Sequence, residues 1–151
     1  MLIVGIDPGW SGGIARVGGG RTVCNKFTGY TEKDIVTLLQ SFLKDADACY
    51  LEKVHAMPGN GVASMFKFGT IYGGLLFTIL ASGVPLYHVT PQKWQRSLNC
   101  LTKGDKNVSK RRAQELYPGI KVTHATADAL LIAQYGYDQR RTDTDDKMFS
   151  M

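Results

Sequence analysis

Residues 2–9 read Leu2-Ile3-Val4-Gly5-Ile6-Asp7-Pro8-Gly9, an apolar run that ends on a carboxylate and a Pro-Gly pair. The run is rich in β-branched residues and lacks helical spacing, so it reads as a buried strand. Asp-Pro-Gly is turn chemistry: proline presets φ, glycine accepts unusual backbone angles, and the aspartate hydrogen-bonds the turn. Asp7 therefore has two readings. It is either a turn former or a carboxylate held at a sheet edge by a stiff strand, where it can ligate a metal ion. Partners from elsewhere in the chain decide between them.

Working outward, residues 12–17 (GGIARV) and 21–27 (RTVCNKF) are further short strand-like runs, separated by PGWS and by a triple glycine. Together with the first run they predict a three-stranded antiparallel meander. In residues 31–45, Ile35, Leu38, Leu39, Phe42 and Leu43 recur at helical spacing, and Thr31 with Asp34 offers a capping-box start. An apolar strand, ACYLEKV, then ends near Glu52, and the polar loop HAMPGNG follows. A long helix from about Ala63 to Ala81, a strand VPLYHV, a short helix in TPQKWQRSL and a basic loop and helix at 102–118 come next. A last helix, TADALLIAQYGY, leads into a tail expected to be frayed and solvated. The domain is expected over 1–138, with 139–151 as a flexible tail.

The chain has 151 residues, enough for one α/β core. Eighteen Lys and Arg against 13 Asp and Glu give a net charge of +5, which favours an anionic partner such as nucleic acid. Cys24, Cys49 and Cys100 are far apart, with no zinc-ligand spacing, and read as reduced thiols of a cytosolic protein. The longest apolar stretch, residues 69–84, is interrupted by glycine and reads as too short to span a membrane, so the protein is expected to be soluble.

The order βββαβαβα, with acids at two strand ends and at the start of the last helix, matches the ribonuclease H-like fold: α/β, a mixed five-stranded sheet flanked by helices. More narrowly, GIDPG (5–9), LEKVHA (51–56) and ATADALLIA (125–133) in this order make the sequence resemble the RuvC family of Holliday-junction resolvases. The resemblance covers nearly the whole chain, and the compact length suggests a phage or prophage member acting in the cytoplasm of a bacterial host. It implies a homodimeric endonuclease that resolves four-way and other branched DNA with Mg2+, or Mn2+ in its place, and without a nucleotide cofactor. Phosphodiester hydrolysis needs a water activated and a leaving oxygen stabilised, which two hard cations held by carboxylates can provide. Asp7, Glu52 and Asp128 are the candidate catalytic residues and metal ligands, Asp7 bridging the two ions and Glu52 completing the second, as the resemblance implies. Taken singly, Glu52 also reads as a solvated strand end and Asp128 as a helix-start acid facing the macrodipole.

The family places a fourth ligand three residues before the last aspartate, where this chain has Ala125. His124 is adjacent, and reads either as a ligand or acid–base group or as a solvated loop residue; on a helix it points about 100° away from the position of Ala125. Lys103, Lys106, Lys110, Arg111 and Arg112 form a basic patch for phosphates or, equally, a solvated face. Lys93 and Arg96 add to it, with Trp94 either at the DNA or in the core. Lys53 adjoins Glu52, and His55 stands where the family has a base-stacking aromatic residue. The apolar helix at 61–83, with Gly69, Gly73 and Gly74, is either a core helix or a dimer interface.

Three other functions fit parts of the sequence. An early strand–Asp–Gly turn is shared by sugar kinases and actin-like ATPases, which need two such domains. A nuclease of the same fold without junction preference, and a junction-binding protein that does not cut, both retain the basic patch.

Overall fold

The alternation of β1 (Leu2–Asp7) organises the molecule. Val4 and Ile6 are fully buried in one apolar cluster, and Ile3 in the other, on the opposite face of the sheet. With a side-chain period of two, Gly5 and Asp7 share the face of Ile3. The computed structural model describes residues 1–55 and 59–150. In it β2 (Gly13–Gly18) and β3 (Val23–Lys26) complete the expected meander, followed by α1 (Glu32–Leu43), β4 (Ala48–Glu52) and α2 (Val62–Ser82). The chain continues through β5 (Leu86–Val89), α3 (Pro91–Ser97), α4 (Lys106–Leu116) and α5 (His124–Phe149). Three residues of the loop expected at 55–61, Ala56, Met57 and Pro58, lie outside the described residues, as does Met151.

The sheet order is β3-β2-β1-β4-β5. β2 is antiparallel to β1 and to β3, while β4 is parallel to β1 and to β5. The last parallel pair between β1 and β4 is Ile6 with Leu51, so Asp7 and Glu52 emerge one step later at the same edge. Ala48 and Tyr50 pack on the face of Ile3, and by alternation Glu52 does too.

That face is covered by α5, with α3 and α4 beside it, whereas α1 and α2 cover the other. α5 approaches β1 so closely that a Cβ on Gly5 would lie 2.3 Å from the Ala133 nitrogen and 2.6 Å from the Ala129 oxygen. Glycine on the strand, with Ala129 and Ala133 one helical turn apart, is therefore what lets the helix seat. α1 starts as its sequence predicts: the Asp34 N–H donates to Thr31 Oγ1 at 3.2 Å, and the Thr31 N–H donates to Asp34 Oδ2 at 2.9 Å.

Three expectations change. Residues 139–149, expected as a frayed tail, continue α5 as an exposed helix, because neither glycine nor proline follows Gly136 to stop it before Phe149. α5 also begins earlier than the TADALL motif suggests, with Thr123 as its cap and His124 as its first residue. Finally, α2 is 21 residues long with a mean hydropathy of 1.4 over its most apolar stretch, so by length and composition it could cross a membrane. Its buried side chains, Ile71, Leu75 and Ile79, repeat every four residues on the side that meets the sheet. Phe66, Phe77 and Leu80 are 79%, 70% and 55% exposed on the outward side.

Candidate active site

Three elements deliver one carboxylate each to the C-terminal edge of β1 and β4. Asp7 ends β1, Glu52 ends β4, and Asp128 comes from α5, which lies across that face. Asp128 is the fifth residue of α5, and the first turn contains no acid. It thus lies beyond the turn where the helix dipole acts, and the macrodipole reading fails. Glu52 is 8% exposed, so it is no solvated strand end. The indole N–H of Trp94 donates to its Oε2 at 2.7 Å, inside the core. Trp94 itself is fully buried, which places it in the core and not at a DNA surface.

Burial raises the proton affinity of all three carboxylates, and the charge of Asp128 adds to it at Asp7 and Glu52. Burial, then the charges of Glu52 and Asp128, push Asp7 well above the usual carboxylate range, against a smaller pull from Lys106. Burial lifts Glu52 to about 7, the Trp94 hydrogen bond working against it and Asp128 with it. Asp128 is raised by burial, with Ser109, Lys106 and His124 opposing. Arg112–Glu115 is the one ion pair among the described residues, so no basic side chain pairs with these acids at contact distance. Asp128 Oδ1 is buried and has no hydrogen-bond partner. Uncompensated buried carboxylates are costly unless they take up a proton or a cation.

Oxygen-only donors, missing countercharge and an orphaned buried oxygen together suit a hard divalent cation. The cage is not closed: among the described residues no group of three His, Cys, Asp or Glu side chains is gathered tightly enough to hold an ion.

The other candidates divide by environment. His124 is exposed at the first position of α5, four residues before Asp128, and its charge reaches that carboxyl. Residues four apart share a helix face, so the offset of about 100° from Ala125 does not separate His124 from the acid that matters. Lys106 opens α4 and its charge reaches both Asp7 and Asp128. Lys53, His55, Lys93, Lys103 and Arg111 are exposed and Lys110 is half-buried. Arg112 is the exception in the basic patch. Its Nε–H donates to the Leu98 carbonyl at 2.9 Å and its Nη1 pairs with Glu115 at 3.1 Å, so it braces α4 against the end of α3.

Two residues at the site have no signature in the sequence. Ser109 is 2% exposed and has one hydroxyl proton for the Lys106 carbonyl, at 3.2 Å, and for Asp128. The contact of Trp94 with Glu52 spans 42 positions of sequence.

No protein-family model and no curated protein sequence matches the chain. Among solved structures, that of Thermus thermophilus RuvC superposes with a TM-score of 0.67 at 21% identity, covering 95% of this chain and 98% of that one. T. thermophilus RuvC in complex with Holliday junction substrate gives a TM-score of 0.66 at 19% identity, over 94% and 96% of the two chains. The chain therefore has the RuvC-like form of the ribonuclease H-like fold, a mixed five-stranded sheet flanked by helices.

Proposed function

We propose that this protein is a metal-dependent endonuclease that resolves Holliday junctions and related branched DNA. The observation that carries the reading is the convergence of Glu52, buried, and Asp7 and Asp128, half-buried, without counterions at one sheet edge of a RuvC-like fold. The solved relative bound to a junction supports the substrate class.

Asp7, Glu52 and Asp128 would hold Mg2+, or Mn2+ in its place. When bound, the metal supplies countercharge, water activation near neutral pH and stabilisation of the leaving 3′-oxygen. The chain's own groups do the rest. Trp94 fixes the rotamer of Glu52 and leaves its other oxygen free, while Ser109 steadies Asp128. Lys106 attracts the scissile phosphate toward acids that would otherwise repel it. His124, in the absence of an acid at Ala125, is the group placed to take or give a proton at its imidazole beside Asp128. Lys53, His55, Lys93, Lys103, Lys110 and Arg111 hold phosphates and bases of the arms, and their contacts position DNA without reading sequence.

Two cuts related by symmetry call for a two-fold homodimer. The outward stripe of α2, with Val62, Phe66, Gly69, Gly73, Phe77 and Leu80 along one side, is the proposed interface. A Cβ on Gly69 or Gly73 would meet nothing within 4 Å, which leaves room for a second helix. Phe77→Asp is expected to convert a dimer to a monomer in analytical ultracentrifugation and to uncouple the two cuts. A dimer that survives the change would move the interface elsewhere. The three free thiols suit a reducing compartment, the cytoplasm of a bacterial host if the protein is phage-borne.

The reading is tested by cleavage of a labelled four-way junction beside linear duplex and flap DNA, with Mg2+ and with Asp7→Asn as control. Paired symmetric nicks that vanish in the variant are expected. Equal cutting of all substrates would replace it with a general structure-selective nuclease. Tight binding without cutting would point to a junction-binding protein, a reading that Ala125 and the open cage favour.

Salt dependence separates the basic residues. Arg111→Ala should flatten the slope of log affinity against log salt by about one unit, the signature of a lost phosphate contact. Arg112→Ala should instead lower the melting temperature, since it strips a bond from the Leu98 carbonyl. Equal salt effects for both would return Arg112 to the DNA surface.

A further inference from the structure

Glu52 is fixed through its backbone and through its side chain. It pairs with Val89 of β5, and the next N–H along, that of Lys53, donates to the Val89 carbonyl at 2.7 Å. Its carboxylate, on a residue only 8% exposed, accepts the Trp94 indole N–H on Oε2 at 2.7 Å. Trp94 is fixed in turn. Its ring is fully buried, its N–H donates to the Thr90 carbonyl at 3.3 Å, and its own carbonyl accepts the Leu98 N–H at 3.1 Å. Thr90 caps this turn of α3 through its hydroxyl, and Pro91 presets the backbone angle that follows. The indole therefore cannot follow Glu52 if the carboxylate turns. A short hydrogen bond to a carboxylate in a place closed to water is among the stronger ones a protein makes.

We propose that Trp94 is a positioning residue that restricts Glu52 to one ligating oxygen, and that it thereby selects a small octahedral cation, Mg2+ or Mn2+, over Ca2+. The inference rests on the metal-dependent reading above and names which ion that site admits. The two kinds of ion make different demands. Ca2+ takes about six to eight oxygens at roughly 2.3–2.6 Å, often both oxygens of one carboxylate, whereas Mg2+ takes about six at roughly 2.0–2.1 Å, keeps several waters and needs one or two carboxylates. With three acids, and Ala125 where a fourth ligand is expected, the site is short of protein oxygens. Chelation by both oxygens of Glu52 would enlarge the set at once. The indole proton already occupies one of them, and indole has no acceptor with which to supply a substitute. A larger ion is thus left under-ligated, while a smaller one completes its shell with water.

The test follows the electron paramagnetic resonance signal of free Mn2+ over the metal-free protein, without DNA, and displaces the bound ion with Mg2+ or with Ca2+. In the natural chain Mg2+ should displace Mn2+ at least as well as Ca2+ does. Trp94→Phe, which keeps an aromatic ring and loses the N–H, should move the ratio of the two displacement constants toward Ca2+ by about fivefold or more. Because phenylalanine leaves space in the core, a second variant carries benzothienylalanine at position 94, an isostere of tryptophan with sulfur in place of the N–H. It should give the same shift with the packing kept, and it decides the matter if Trp94→Phe does not fold. Affinity lost equally for all three ions is what a merely structural tryptophan would produce, and that result, or an unchanged ratio, would overturn the proposal. Glu52→Gln separates the two claims, since it should weaken Mn2+ binding by about tenfold or more. A natural chain that binds no Mn2+, or a Glu52→Gln chain that binds it equally well, would remove the metal-dependent reading itself and the selectivity with it.

Discussion

Glu52→Gln is expected to abolish junction cleavage and, in the absence of metal, to make the protein more stable at pH 8. Cleavage should fall by about 10³-fold or more, since the variant loses a charged ligand whose work is done on the developing charge. Stability moves the other way. The glutamine oxygen still accepts the Trp94 indole N–H, while the buried charge and its repulsion from Asp128 disappear.

The sign follows from the raised pKa. Glu52 titrates near 7 when folded, against an ordinary value of 4.5, so the folded state binds the proton more tightly than the unfolded one. Below the unfolded value the group is neutral in both states and costs nothing. As pH rises through 4.5 toward 7 the folded state is progressively penalised, up to about 3 kcal/mol above the folded value. Asp7 and Asp128, also raised, act in the same direction. Calorimetry in EDTA should therefore show the natural chain melting lower at pH 8 than at pH 5, with a smaller difference in Glu52→Gln. Mg2+ should recover the loss for the natural chain alone. A variant less stable than its parent at pH 8 would show that the acids are already compensated, and would sink the metal assignment.

Gly5→Ala should be strongly damaging. The added carbon would meet three backbone atoms of α5 at 2.3, 2.6 and 2.8 Å, and no flexible side chain is there to yield. The helix must lift from β1, and it carries Asp128 with it. A loss on the order of 3 kcal/mol and about 10 °C in melting temperature is expected, with cleavage falling further than the unfolded fraction explains. Gly74→Ala serves as the control: its Cβ meets nothing within 4 Å, and alanine in a helix interior should be neutral or better. Equal effects at the two glycines would mean that the α5–β1 approach is not what seats the acid.

Much of the frame is legible in local chemistry. The period-two run of β1, the triple glycine before β3 and the Thr31–Asp34 box each act over a few residues, and each appears where its pattern puts it. The boundaries of α5 are less legible. Thr123 caps it by donating its N–H to Thr126 Oγ1 at 3.1 Å, a capping box with threonine where glutamate is usual, and its polar continuation to Phe149 looks like a solvated tail when read by composition. Arg112 shows the same limit in the basic patch, because one arginine in a charge run reads like its neighbours until the Leu98 carbonyl is found against it.

By itself the sequence determined that three carboxylates would stand at strand ends and near the last helix start, and that Asp7 would share a face with Gly5. Strand alternation and turn chemistry act between neighbours, so they can be read from neighbours. Tertiary structure alone decided which of those acids lose their water. Burial raises the proton affinity of all three, while Trp94, 42 residues away, hydrogen-bonds Glu52, and Ser109 of α4 opposes the rise at Asp128. Desolvation is set by everything that surrounds a group at once, and no local pattern records it.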